Sequence, residues 1–171
     1  MLHLVDQAGQ AAQATTLAAT LAQHADDQAE TVLLALSRGS GVAGLAAMGD
    51  RSQHADIVFG RPWLGVRQSL LRAYVSEQGL AFIDDPTNAD TRFTRNRLRH
   101  DLMPVMTRAF PSMVEALGRT ARHCAEANQL LQALAQQDLL TAGQPPKLAQ
   151  VQSLPAARQA NLLRQWLVEE A

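Results

Sequence analysis

The sequence predicts a mainly helical chain with a partial α/β part, and three observations carry that prediction. Up to about residue 111, short apolar runs of strand character alternate with helical patterns. From Ser112 onward, apolar residues recur at three-, four- and seven-residue steps with no strand between them. Apolar residues make up 47% of the 171 and charged residues only 18%, which supplies a core and leaves no long charge block of the kind found in disordered chains.

Taken in order, residues 1–14 are rich in Ala and Gln and read as a weakly amphipathic helix. "TTLAATLAQ" (15–23) reads as a buried strand, although its alanines favour helix. A helix is predicted from Asp27 to Leu36, stopped at "RGSG", where Gly39 and Gly41 supply turn conformations. "VAGLAAM" continues as a short helical turn, and a polar loop is expected from Gly49 to about Asp56. "IVFGRPWLGV" (57–66) begins as a strand and breaks at Gly60 and Pro62. Ser69–Gln78 reads as a helix with Leu70, Leu71, Tyr74 and Val75 on its inner side and Gly79 as its stop. "LAFID" is expected to be a further strand, "DPTNADT" (85–91) a turn, and Arg92 to about Met103 a basic helix with Pro104 near its end.

Beyond Phe110-Pro111 the character changes. Ser112 and Glu115 have capping-box spacing, and Leu117, Ala121, Cys124, Leu131 and Leu134 mark one face of a long helix over 112–140. "TAGQPP" ends it. A last helix from about Pro155 places Leu162, Leu163, Trp166 and Leu167 on its apolar side. Two domains are expected, 1–111 and 112–171, the second incomplete because its last helix reaches Ala171 with no stop signal.

A net charge of −1 gives no global sign of nucleic-acid binding, so any such binding must come from a local patch. The single cysteine, Cys124, excludes an internal disulfide and a cysteine-built zinc site. No basic stretch leads into an apolar run at the N-terminus, and no apolar stretch approaches the roughly 20 residues of a membrane helix. A cytoplasmic protein is expected.

Two constellations carry chemistry. The first is "HADDQAETVLL" (24–34), with Asp26, Asp27 and Glu30 at spacings of three and four, beside His24. At a helix start, such acids accept free backbone N–H groups and suit the positive end of the helix dipole. Capping accounts for one acid well and a second acceptably, but not for the third. The cluster would also sit at the carboxyl end of a strand, where open α/β sheets bind ligands. Three partners fit: a divalent metal such as Mg²⁺, a ligand ammonium, or an Arg or Lys elsewhere in the chain. Zinc does not fit, because the other histidines (3, 54, 100 and 123) lack ligand spacing.

The second is "DDPTNADTRFTRNRLRH" (84–100). Asp84, Asp85 and Asn88 surround a proline turn, and Arg92, Arg95 and Arg99 then fall on one helix face with Asn96 beside them; Arg97 and His100 point elsewhere. Guanidinium forks suit phosphate or carboxylate. Alone, this is an exposed basic helix. Paired with an acidic cluster at a strand end, it could bind a zwitterion, or a triphosphate and its metal. Trp63, Trp166 and Cys124 read as packing residues, and "RGSG" lacks the lysine and spacing of a phosphate loop.

"QHADDQAETVLLALSRGSGVAGLAAM", "RPWLGV" and "DDPTNADTRFTRNRLRHDLMP", in that order, resemble the tRNA(Ile)-lysidine synthase family, itself similar to the PP-loop ATP-pyrophosphatases. The likeness runs from about Thr16 to Phe110 and more weakly to Ala171. It implies the C-terminal half of a PP-loop (Rossmann-like) nucleotide-binding domain, followed by helices that contact tRNA. The implied reaction uses ATP, with Mg²⁺, to adenylate C2 of the wobble cytidine in a CAU-anticodon tRNA(Ile). The ε-amine of L-lysine then displaces AMP. By this resemblance Asp27 and Glu30 are the catalytic pair that holds lysine. Arg95, Asn96 and Arg99 contact its carboxylate or the phosphates, while His24 and Asp26 shape the pocket.

The sequence departs from the pattern twice. Gln23 stands where the family shows a first histidine. The glycine- and serine-rich "SGGxDS" loop has no counterpart, nor does the C-terminal domain. A fragment, or a start misplaced at Met1, is expected, and no residues of the chain are assigned to ATP itself. Such a chain is expected not to adenylate anything. Half a sheet would expose strand edges, so aggregation or a homodimer is expected as well. Two other readings compete. One is another PP-loop enzyme such as a tRNA thiolase, against which the lone cysteine counts. The other is a non-catalytic module that binds RNA through Arg92–Arg108.

Overall fold

The computed structural model describes residues 17–82, 87 and 90–169. The expected helix over 1–14 lies outside them, as do Asp84, Asp85, Asn88 and most of the proline turn.

The α/β part is small. Strand β1 (Leu17–Thr20) leads into helix α1 (Ala25–Ser37), then a short helix α2 (Val42–Leu45) and strands β2 (Arg51–His54) and β3 (Ile57–Gly60). The strand order is β1-β3-β2, with β1 parallel to β3 and β2 antiparallel to it. β2 corrects the polar loop expected over 49–56. Its four residues are all exposed, so no apolar alternation marks it; the backbone ladder to β3 forms it. The connecting turn is two residues, Ala55 and Asp56, with Ala55 at φ +51°. Gly39, at φ +68°, closes α1: its N–H donates to the Leu36 carbonyl and the Ser40 N–H to that of Ala35.

Helix α3 (Gln68–Glu77) forms where its spacing predicts, but its apolar side is not an inner one. Leu71 and Val75 are half-buried, while Leu70 and Tyr74 are exposed at 63% and 59%. Leu80–Phe82 form no strand; the rest of "LAFID" is outside the described residues. The basic helix differs too. Helix α4 (Thr94–Arg97) passes through a π-helical turn (Leu98–Leu102) into α5 (Met103–Ala109). Pro104 therefore stands at the start of α5, not near a helix end. Proline cannot donate to the ladder, and the turn before it widens, with the Met103 N–H reaching back to the Leu98 carbonyl.

Helix α6 (Met113–Ala142) is the long helix the periodicity predicts. Ser112 makes no side-chain cap bond, so the capping box does not form; Glu115 binds elsewhere, as described below. A short helix α7 (Leu148–Gln152), unforeseen in the sequence, precedes α8 (Ala156–Glu169). α6 belongs to two cores. Its first half packs Val114, Leu117 and Ala121 against Ala29 and Val32 of α1 and Met103 of α5. Its second half packs Leu139 and Ala142 against Val151 and the fully buried Leu162, with Trp166 at the edge. Asp138, buried on α6, is bonded by Arg158 of α8, which gives its charge a partner.

Candidate functional site

The acidic cluster opens α1 at the carboxyl end of β1. His24 is the N-cap: its Nδ1 accepts the Asp27 N–H at 3.3 Å, and its own N–H donates to Asp27 Oδ2 at 3.0 Å. This is a capping box built on histidine and aspartate. Asp26 turns to the segment after β3, where it accepts the Gln68 N–H at 2.8 Å and pairs with Arg67 at 3.1 Å. The other end of Arg67 holds Glu115 of α6 at 2.9 Å, a bond that keeps the Glu115 carboxyl below its usual range.

Glu30, one turn further on, has a side chain only 2% exposed. Arg99 Nε donates to Glu30 Oε1 and Arg95 Nε to Oε2, both at 2.7 Å. The two Nη2 groups also reach Asp27 Oδ1, at 3.4 Å and 3.3 Å. The bond to Glu30 raises the hold of the Arg99 guanidinium on its proton. Of the three partners the sequence left open for the acids, the structure holds the third: arginines of this chain.

Arg95 and Arg99, four residues apart, descend side by side from α4 and the π-helical turn. Each uses Nε and Nη2 inward, and no hydrogen bond from either Nη1 appears among the described residues. Their side chains are 42% and 27% exposed. The inner quartet of Asp27, Glu30, Arg95 and Arg99 is charge-balanced. Its outer edge offers two guanidinium donors and the rim of Asp27.

Two residues of the basic segment stand apart from this quartet. Arg92 does not join the stripe; it is exposed and bound to Asp90 at 2.7 Å, and that bond lowers the Asp90 carboxyl below its usual range. Asn96 is buried and gives both amide hydrogens to the carbonyls of Thr87 and Asp90. It fastens the preceding loop to the arginine helix and does not face outward.

Three residues of this architecture carried no assignment in the sequence reading. Arg67 links Asp26 to α6. Arg61 donates to Gln23 Oε1 at 3.1 Å and to the Gly49 carbonyl at 3.0 Å, so the amide at position 23 serves as an acceptor. Gln28 bonds both backbone groups of Met48, anchoring the chain after α2. The signal lay in "RPWLGVR", two arginines bracketing one turn. Among the described residues no group of three or more His, Cys, Asp or Glu is placed to hold a metal ion, and no helix is long and apolar enough to cross a membrane.

The charge cluster lies at the carboxyl end of a strand, where open α/β sheets bind ligands. The chain belongs to the PP-loop domain family, whose model matches residues 3–106. Its relatives carry a more particular name. A tRNA(Ile)-lysidine synthase of Polaromonas naphthalenivorans is 49% identical over 148 residues, covering 86% of this chain and 45% of that protein. Those of Burkholderia pseudomallei and Pseudomonas aeruginosa are 46% and 43% identical, covering 86% and 85% of this chain but 31% and 36% of their own lengths. The chain thus spans less than half the length of these curated relatives.

Proposed function

We propose that this chain forms the lysine- and anion-facing part of a tRNA(Ile)-lysidine synthase. The observation that carries this reading is the convergence of residues 24–30 with 95–99 on one charge cluster. L-Lysine is a zwitterion with a second ammonium, and the outer edge of the cluster has the matching signs: the Asp27 rim for an ammonium, two Nη1 groups for a carboxylate or a phosphate. Glu30, buried beneath two guanidinium groups, serves this site by fixing them. Asn96 serves it by fixing the loop, and His24 and Asp26 by shaping the start of α1.

The reaction transfers AMP from ATP to the carbonyl oxygen on C2 of the wobble cytidine in a CAU-anticodon tRNA(Ile), releasing pyrophosphate, and that oxygen departs with AMP. The ε-amine of lysine then forms the bond to C2 and loses a proton as AMP leaves. The "RGSG" loop does not cradle phosphates, since the Gly39 and Ser40 N–H groups donate to the Leu36 and Ala35 carbonyls and close α1. Glu30 is enclosed by Arg95 and Arg99 and only the rim of Asp27 is left, so these residues do not by themselves make a site for Mg²⁺. Residues 112–171 are the proposed start of the tRNA-contacting helices, and the proposed location is the cytoplasm.

Calorimetric titration of the chain with L-lysine tests the reading, paired with tRNA binding measured with and without ATP and lysine. Asp27→Asn and Arg95→Gln should each weaken lysine binding about tenfold or more, the loss of one charged hydrogen bond. Salt-sensitive tRNA binding indifferent to lysine, with no lysine binding in the calorimeter, would instead favour a non-catalytic RNA-binding role.

A further inference from the structure

Three carboxylates open α1, and the quartet described above uses two of them. The third, Asp26, is drawn off sideways. Arg67 Nη2 donates to Asp26 Oδ1 at 3.1 Å and Arg67 Nε to Oδ2 at 3.4 Å, while the Gln68 N–H donates to Oδ2 at 2.8 Å. One residue back, the Ala25 N–H donates to the Val66 carbonyl at 2.9 Å. The far end of Arg67 is bonded to Glu115 of α6, so the guanidinium cannot swing away without breaking a second ion pair. Among the described residues Arg67 makes no bond to any member of the quartet.

The two aspartates are close neighbours. Asp26 Oδ2 and Asp27 Oδ2 lie 3.8 Å and 3.3 Å from one atom, His24 Nδ1. Like charges at such range repel one another unless one of them is matched. Asp26 also acts across the cluster. The Glu30 bond does most to hold the Arg99 proton, and the charges of Asp27 and Asp26 add to that hold. With Arg67 included, Asp26, Asp27 and Glu30 face three arginines. Without it, three acids would face two, leaving one negative charge in excess beside the Nη1 groups that the site offers to an anion.

We infer that Arg67 is a positioning residue that sets the ligand selectivity of the cluster: it withdraws Asp26 and leaves Asp27 as the one acid at the rim. The inference rests on the lysine-binding reading above. Arg67 acts through Asp26 and not on the ligand. A site balanced in this way takes an ammonium on Asp27 and a carboxylate on the arginine Nη1 groups. With Asp26 released, two adjacent acids would attract a bare diamine and repel the carboxylate of an amino acid. The arrangement therefore selects an amino acid with a cationic side chain over the amine left by its decarboxylation.

The test is calorimetry of the 171-residue chain with L-lysine and with cadaverine, the same diamine without the carboxylate. Wild type should prefer lysine. Arg67→Gln should cut the ratio of the two affinities about tenfold, the effect of one unit charge near a partly exposed site. Adding Asp26→Asn to it should restore the ratio, because the surplus charge is gone and the amide oxygen still accepts the Gln68 N–H. Glu115→Gln, which leaves Arg67 on Asp26, should change the ratio less than about twofold. A merely structural loss would weaken both ligands alike and leave the ratio as it was. An unchanged ratio in Arg67→Gln, or no recovery in the double variant, would overturn the role of Arg67 alone. If circular dichroism finds Arg67→Gln unfolded, Asp26→Asn by itself decides: the ratio should hold or rise, and a fall would overturn the role. Wild type that bound cadaverine as well as lysine would remove the lysine-binding reading, and the role of Arg67 with it.

Discussion

At the residue scale, the decisive group is Glu30. A carboxylate this buried is tolerable only because two guanidinium groups surround it, and removing the acid strands both of them. Glu30→Gln should cost about 2 to 3 kcal/mol in urea unfolding, less than a fully buried pair because Arg95 is partly exposed and water screens it. A loss below about 0.5 kcal/mol would mean that the quartet does not hold the fold together. Glu115 gives a smaller, pH-dependent effect. Arg67 depresses its folded pKa, so its contribution is complete above the unfolded carboxylate pKa and disappears as pH falls through the folded one. Wild type should exceed Glu115→Gln by about 0.5 kcal/mol or less at pH 7, and the two stabilities should converge as pH falls below the unfolded carboxylate pKa and through the depressed folded one. A gap that stayed constant into acid would point to packing and not to the ion pair.

At the element scale, the β2–β3 turn and the arginine helix show where local sequence signals run out. A two-residue hairpin usually announces itself with glycine or asparagine, because a left-handed conformation is needed. Here Ala55 takes that conformation at φ +51°. Ala55→Gly should therefore raise the thermal midpoint, by about 0.5 to 1 kcal/mol of stability, since the strain of a Cβ outweighs the added freedom of the unfolded chain. An unchanged or lower midpoint would show that the turn is not strained. The π-helical turn was equally silent in sequence, because Pro104 reads as a helix stop. One extra residue in the turn before it lets the helix continue, and Arg99 lies within that turn beside Arg95. By contrast, α1, α3 and α6 were legible from periodicity and glycine stops, since those depend on local spacing alone.

At the scale of the whole molecule, α6 is shared by two cores, so the change of sequence character at residue 112 is not a gap in the packing. Among the described residues β1 is an edge strand of the sheet, and Leu70, Tyr74 and Phe82 are exposed. An open strand edge and uncovered apolar side chains favour self-association. Sedimentation equilibrium over a concentration series should find dimers or larger species growing with concentration. A strictly monomeric chain at every concentration would sink that expectation.

The sequence by itself determined α1, α3, α6 and α8, a helix start at the acidic cluster, and the two constellations of opposite sign. Each of these is written in nearest-neighbour spacing, which the chain cannot adopt without its local structure. Only the tertiary structure decided how the charges pair. Glu30 meets Arg95 and Arg99 across sixty-five and sixty-nine residues, and Asp26 meets Arg67 across forty-one. Nothing in spacing distinguishes an acid reserved for a ligand from one already matched within the chain. Burial makes that choice, because a charge removed from water must find its partner inside the fold.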